Sequence, residues 1–304
     1  MTATWSIAVF AHDEADRIAA TLRSIVVAAQ GVPVDVVVDV VVLANGCRDR
    51  TVEIVRELAL QSNHLRVVEI ALGDKANAWN HYVHNIAATA PAEVVAMHVF
   101  VDGDIRVEPG SFAALAAAFH QVPSANAVGA LPTAGRDREA WSRRMIASGT
   151  LAGGLYALRG DFVERIRQRK IRIPQGLIGE DWLVSLFASS DLNPVALSLA
   201  SAPRVAFAPD AGFSFRSLSP WHPADYRTYL RRLWRYALRA VQYEMAFGWL
   251  LLRAPETLPP EVEQLYLLTL PPSRLKWIGP TSLLRFFAVQ KVRGVRSKRA
   301  QNNG

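Results

Sequence analysis

Cysteine is nearly absent from the sequence: Cys47 is the only one in 304 residues. A disulfide framework and a cysteine-based zinc site are therefore excluded, and a reducing compartment is expected. Long apolar runs are missing too. The N-terminal MTATWSIAVFAHDE has no basic segment and only a short apolar run, so no signal peptide is expected. Nowhere do about 18 consecutive apolar residues occur, the length a spanning helix needs. The nearest approach, Ala237 to Leu252, is broken by Arg239, Gln242 and Glu244. The expected location is cytoplasmic, with peripheral contact on the inner membrane face. Acidic residues also run out: after Glu263 there are none, against eight basic ones. Such a basic tail suits nucleic acid, anionic lipid or phosphate-bearing ligands.

What is present is ordinary for a large globular core, with 51% hydrophobic and 20% charged residues. The charge is unevenly placed. Residues 1–150 hold 12 Lys/Arg against 16 Asp/Glu, and residues 151–304 hold 22 against 11.

The first hundred residues alternate between two periodicities. Ser6 to Ala11 reads as a strand, and Ile18, Leu22, Ile25, Val26 and Ala29 follow at helical spacing. Val34 to Leu43 is a valine run suited to a strand buried on both faces. A second helix is expected over Asp49 to Gln61, a third strand over Arg66 to Ala71, and a third helix over Lys75 to Ala88. An apolar run then leads from Val94 into Asp102-Gly103-Asp104. The order β-α-β-α-β-α-β predicts a doubly wound, mostly parallel α/β sheet flanked by helices. Beyond it, Ser111 to His120 reads as a helix, and Ala127 to Pro132 and Arg204 to Pro209 as strands. Gly149 to Ala157 is either a glycine-rich ligand approach, or a flexible loop or bulged strand. The basic run Arg165 to Arg172 reads as a solvated helix end.

Ligands collect at the carboxyl ends of such strands. His12-Asp13-Glu14, Asn45-Gly46, Gly73-Asp74-Lys75 and Asp102-Gly103-Asp104 all follow strands and should line one crevice. Asp102-Gly103-Asp104 is either a polar turn or a hard-oxygen site for Mg²⁺ or Mn²⁺ carrying phosphates. Glu180-Asp181 opens a helix, as a simple cap or as a general base beside a ligand. From Pro223 a long helix carries Arg227, Arg231, Arg232, Arg235 and Arg239. Arginines four apart repel unless an anion sits between them, and a diphosphate is a natural candidate. The last segment, SRLKWIGPTSLLRFFAVQKVRGVRSKR, has the composition of a stretch lying on an anionic membrane, or of a packed helix with a loose basic end.

Taken in order, these motifs resemble the inverting family 2 glycosyltransferases of the GT-A fold. The resemblance covers about residues 5 to 240, so a GT-A domain over 1–240 and a helical, basic C-terminal extension over 241–304 are expected. His12-Asp13-Glu14 resembles the family's nucleotide-binding segment. Asn45-Gly46-Cys47-Arg48-Asp49-Arg50-Thr51 resembles its Asp-Gly-Ser-x-Asp-x-Thr segment, and Lys75-Ala76-Asn77-Ala78-Trp79-Asn80 its Lys-x-x-Ala-x-Asn helix start. Asp102-Gly103-Asp104 matches the D-x-D motif, Glu180-Asp181 the E-D pair, and Arg232-Leu233-Trp234-Arg235-Tyr236 is similar to the (Gln/Arg)-x-x-Arg-Trp motif. Two departures stand out. Ala44-Asn45 occupies the place of an acidic residue that recognises base or ribose, and Tyr236 replaces a tryptophan. The lack of spans argues against a processive synthase that threads its own channel.

The resemblance implies transfer of a sugar from a UDP- or GDP-sugar to a hydroxyl acceptor, lipid-linked or belonging to cell-surface glycan synthesis. It implies Mg²⁺ or Mn²⁺ at Asp104 with Asp102, or ribose binding by Asp102. His222 is a third metal ligand, a phosphate contact or a surface histidine. Asp181 would be the base and Glu180 would position it or the acceptor. His12, Asp13, Glu14, Asn45 and Lys75 would face the nucleoside, and Arg232 and Arg235 the diphosphate. Three rivals are weighed. A nucleotidyltransferase wants a glycine-rich basic loop after the first strand, where this chain is acidic. A non-catalytic membrane partner protein has no need of Asp102, Asp104 and Asp181. Nucleic-acid binding finds no motif here.

Overall fold

The structure is a computed structural model and describes residues 3–89, 95–195, 203–216, 223–269 and 281–302. The chain divides into two compact units. One comprises Met1–Lys170 with Glu180–Arg216, the other Ile171–Gly179 with Ser217–Gly304.

The first unit is built on an eight-stranded sheet. In chain order its elements are β1 (Ala3–Ala11), α1 (Ile18–Ala29), β2 (Val36–Asn45), α2 (Thr51–Ala59), β3 (Leu65–Ile70) and α3 (Lys75–His81). They continue with β4 (Val95–Asp102), β5 (Ile105–Val107), α4 (Ser111–Gln121), β6 (Ala127–Pro132), α5 (Arg138–Ser148), β7 (Leu155–Arg159), α6 (Gly160–Gln168), α7 (Glu180–Ser189) and β8 (Val205–Phe215). The strand order is β3-β2-β1-β4-β7-β6-β8-β5. β3, β2, β1 and β4 run parallel, as the alternating sequence predicts. β7 then enters antiparallel between β4 and β6, so the sheet is mixed.

The valine run explains the centre of this sheet. Val40, Val41, Val42 and Leu43 are all buried, which a strand covered on both faces requires. One face meets Ile18, Leu22 and Ile25 of α1. The other carries an aromatic floor: Phe100 of β4 stacks on Tyr156 of β7 at 4.9 Å, with Phe10 at 6.2 Å and Trp79 at 6.1 Å.

Two expectations are corrected. The third helix does not run to Ala88: α3 ends at His81, widens into a π turn over Tyr82–Ile86 and closes in a 3-10 turn over Ala87–Thr89. Tyr82 is fully buried there, and its hydroxyl reaches Ser6 Oγ at 2.7 Å and His98 Nδ1 at 2.8 Å. The glycine-rich segment is neither loop nor strand alone. Gly149, at φ +64°, closes α5, and regular pairing starts only at Leu155.

The second unit carries the helices α8 (Pro223–Leu250), α9 (Val262–Leu268) and α10 (Thr281–Asn302). Gln242 of α8 ties it together, donating to Tyr266 Oη at 2.6 Å and accepting from the Ile178 N–H at 2.8 Å. Among the described residues no helix is long and apolar enough to cross a membrane.

Candidate active site

The ends of the parallel strands do converge. His12, just past β1, donates through Nδ1 to the Asn45 carbonyl at 2.6 Å. Asn45, closing β2, is buried and donates its amide to the Ala11 carbonyl at 2.8 Å. Its side chain thus splices two strand ends. Gly46, at φ +64°, meets Gly73 so closely that a Cβ would lie 2.5 Å from the Gly73 Cα. At the end of β4 the Gly103 N–H donates to the Phe10 carbonyl at 2.8 Å, and a Cβ there would lie 2.7 Å from that oxygen. Only glycine lets these strand ends pack so tightly.

Lys75 is the centre of the charge arrangement. Asp74 caps α3 by accepting the Asn77 N–H at 2.6 Å, which sets Lys75 in the first turn. Its Nζ lies 2.5 Å from Asp102 Oδ1, 2.6 Å from Glu180 Oε1 and 5.3 Å from the centroid of the Phe10 ring. Burial works against its charge, but Asp102 and Glu180 outweigh it and hold its pKa well above the usual lysine range. Asp102 is pushed up to about 6, first by burial, against the pull of Lys75, with Glu180 and Asp104 adding to the rise.

Glu180 and Asp181 open α7 and are both buried. Asp181 Oδ2 accepts the Gly153 N–H at 3.1 Å, and Oδ1 accepts the Trp182 N–H at 3.0 Å, which fixes the plane of the carboxylate. The glycine of the predicted ligand approach is thus a neighbour of the predicted base: a Cβ on Gly153 would stand 3.1 Å from Lys75 Nζ and 3.5 Å from Asp181 Oδ2.

A second group of acids sits at the mouth of β1. Glu14 is pushed up to about 7, chiefly by burial and next by Asp104, against Arg17, with Asp102 also raising it. Arg17 NH1 lies 3.2 Å from Glu14 Oε2 and 3.9 Å from Asp104 Oδ2. The sequence reading missed Arg17; its position three residues after Glu14, one helical turn on, was the available signal. Asp13, at φ 54°, accepts the Arg48 N–H at 2.7 Å, and Thr51 donates to Asp49 at 2.5 Å. With Cys47 these two acids form a group whose ligand atoms lie within 4.8 Å of one another.

The structure therefore brings together His12, Asp13, Glu14, Asn45, Lys75, Asp102, Asp104, Glu180 and Asp181 within the first unit. Arg232 and Arg235 belong to α8 in the second unit, the former half-buried and the latter exposed. His222 lies outside the described residues.

Comparison with known proteins places the fold. A mannosyltransferase, PcManGT from Pyrobaculum calidifontis, solved with GDP-Man and Mn²⁺, has a TM-score of 0.60 at 19% identity, over 98% of this chain and 75% of that one. TarS 1-349 from S. aureus, solved with UDP, has a TM-score of 0.50 at 15% identity, over 98% and 92%. At these identities the likeness is one of fold. No curated protein sequence matches the chain. The sequence model described as glycosyl transferase family 2 matches residues 6–177, more than half of the chain. The chain belongs to glycosyl transferase family 2, with the GT-A fold of its structural neighbours, and is a glycosyltransferase.

Proposed function

We propose that this glycosyltransferase moves a sugar from a UDP- or GDP-sugar to a hydroxyl group in one inverting, metal-dependent displacement. The observation that carries the proposal is the link from Asp102 through Lys75 to Glu180, which sets the neighbouring Asp181 carboxylate beside Gly153.

The acids suit a hard divalent cation. Asp104 and Asp102 raise the proton affinity of Glu14, and Asp104 and Glu180 raise that of Asp102, so the fold holds more negative charge there than Arg17 and Lys75 balance. Mg²⁺ or Mn²⁺ at Asp102 and Asp104 would supply the missing positive charge and stabilise a leaving diphosphate. The GDP-Man and Mn²⁺ bound to the P. calidifontis mannosyltransferase support a nucleotide-sugar and a metal here.

In this reading Asp181 accepts the proton of the acceptor hydroxyl as its oxygen bonds to the anomeric carbon. The bond from that carbon to the phosphate oxygen breaks, and its electron pair leaves with the nucleoside diphosphate. Attack opposite the leaving group inverts the anomeric centre. Glu180 and Lys75 hold the base in place, and His12, Asp13, Glu14 and Asn45 shape the nucleoside end. The acceptor we infer is lipid-linked: the second unit carries 15 Lys/Arg against 5 Asp/Glu, a net of +10, which supports contact with an anionic membrane.

The experiment is a donor screen with UDP-, GDP- and dTDP-sugars and Mn²⁺ or Mg²⁺, reading free nucleoside diphosphate. Turnover of one donor, lost in Asp104→Ala, is expected. In Asp181→Asn, donor binding should survive while transfer to an added hydroxyl acceptor disappears. Metal-independent turnover, or full transfer in Asp181→Asn, would overturn the assignment.

A further inference from the structure

Exposed large apolar side chains are not spread evenly over the protein. Of the sixteen among the described residues, nine belong to the second unit, which holds under a third of the chain. Four lie on the first part of α8: Tyr226 is 55% exposed, Tyr229 53%, Leu230 64% and Tyr236 58%. With the half-buried Leu233 they recur at intervals of three and four, so they share one helical face. Arg227, Arg231 and Arg235, spaced by four, form an exposed stripe alongside. The later turns behave differently: Leu238, Val241, Met245 and Trp249 are buried and anchor the helix in its unit.

From this arrangement we infer that the first four turns of α8 form an interfacial docking helix for an anionic lipid bilayer. The inference rests on the membrane contact proposed above and gives it a surface. The occupant follows from charge and side-chain type. A face of tyrosine and leucine beside arginines matches the boundary between acyl chains and headgroups, where a phenol keeps its ring in the apolar layer and its hydroxyl wet. Guanidinium groups four residues apart repel one another in water and are relieved by lipid phosphates. The net charge of +10 on this unit gives the long-range attraction.

The basic C-terminal helix is less free to play this part. Ala288, Val289 and Val292 of α10 are buried, Arg285 NH2 pairs with Glu244 Oε1 of α8 at 2.5 Å, and Lys291 lies 5.9 Å from the Trp234 ring. Among the described residues of α10, the large apolar side chains exposed are Leu283 and Phe287.

The test is co-sedimentation of the full-length protein with vesicles of phosphatidylcholine alone or mixed with phosphatidylglycerol, with donor turnover and Tm measured on the same samples. Wild type should bind the anionic vesicles. Tyr229→Ser with Leu230→Ser should weaken that binding about tenfold or more, and Arg227→Glu with Arg231→Glu should abolish the preference for anionic lipid. Tm should stay as in wild type in both variants, and donor turnover in Tyr229→Ser with Leu230→Ser. If both α8 variants bind as wild type and Leu283→Ser with Phe287→Ser does not, the docking helix is α10 and this inference falls while the membrane reading stands. Wild type that turns over donor yet binds no vesicle overturns both, leaving the sugar-transfer reading untouched. A dimer in solution that Leu230→Ser dissociates would assign the face to a second copy of the chain and overturn the inference.

Discussion

The backbone N–H of Gly153 donates to Asp181 Oδ2 at 3.1 Å, and the same glycine leaves Lys75 Nζ just enough room to reach Asp102 and Glu180. A methyl group at position 153 would stand 3.1 Å from that ammonium, closer than ordinary contact. Gly153→Ala should therefore displace Asp181, the proposed base, and Lys75 by a few tenths of an ångström without opening a cavity. Misplacing a catalytic group by about 1 Å costs about a hundredfold in rate, and a few tenths cost a smaller factor. We expect kcat for transfer to fall about 3–10-fold, with little change in Tm or in the KM for the donor. A KM defect at constant kcat would instead make Gly153 a donor contact.

Lys75 holds two carboxylates that otherwise repel. Lys75→Met leaves Asp102 and Glu180 facing each other with no cation between them, and losing one partner of a largely buried ion pair costs on the order of 3 kcal/mol. The penalty should depend on pH. Asp102 already titrates near 6 with the lysine present, and removing that charge pushes it higher. The Tm deficit of the variant should be largest well above pH 7 and should shrink as the pH falls toward about 6, as protonation of Asp102 removes one of the repelling charges. Thermal melts of both proteins across this range give the answer; a deficit that is flat with pH would mean that Lys75 contributes packing alone.

His98 offers a cleaner stability measurement because it stands apart from the acids. It is buried in β4, bonded to the Tyr82 hydroxyl, and its pKa is lowered to about 4 by burial first and by Arg167 second. The fold favours the neutral ring, so its contribution is complete above the unfolded value near 6.5 and is lost as the pH falls from there through about 4. The loss amounts to about 3 kcal/mol at the acid end. His98→Asn keeps a hydrogen-bonding partner for Tyr82 but cannot take up this proton. Denaturant unfolding at pH 7 and pH 4.5 should show wild type losing more stability than the variant; equal losses would assign the acid sensitivity elsewhere.

The parallel half of the sheet was legible because its strands are buried on both faces and its helices on one, so the two periodicities alternate cleanly from Ser6 to Val101. The antiparallel half was not. β5 is three residues long, and α5 buries only Met145, so neither leaves a periodic trace. β8 continues past Pro209 because β6 pairs with it through a register shift there, which no local pattern announces. The site followed the same division. Motif spacing put the acids at strand ends, but it could not tell which way a side chain turns. Asn45 looked like a ligand contact, and its amide proves to be committed to the backbone of β1. Lys75 looked like a nucleoside contact, and its ammonium lies between Asp102 and Glu180, a partner 105 positions away in sequence.

The acids at the mouth of β1 give the last prediction. Glu14 near 7 and Asp102 near 6 are both raised by burial and by neighbouring negative charge, and Asp104 contributes to each. A divalent cation bound there competes with the protons these groups take up. Mn²⁺ should raise the Tm of wild type, since a ligand present at a hundred times its dissociation constant adds about 2.7 kcal/mol. Asp104→Ala should abolish most of that rise while leaving the metal-free Tm nearly unchanged, because Asp104 is partly exposed and its nearest cation, Arg17, is 3.9 Å away. The rise should also be smaller at pH 5.5 than at pH 7.5, because at the lower pH both Glu14 and Asp102 hold protons that the metal must displace. A stabilisation by Mn²⁺ that is the same in Asp104→Ala, or the same at both pH values, would place the cation elsewhere. The group of Asp13, Cys47 and Asp49 is then the next set of ligands to vary.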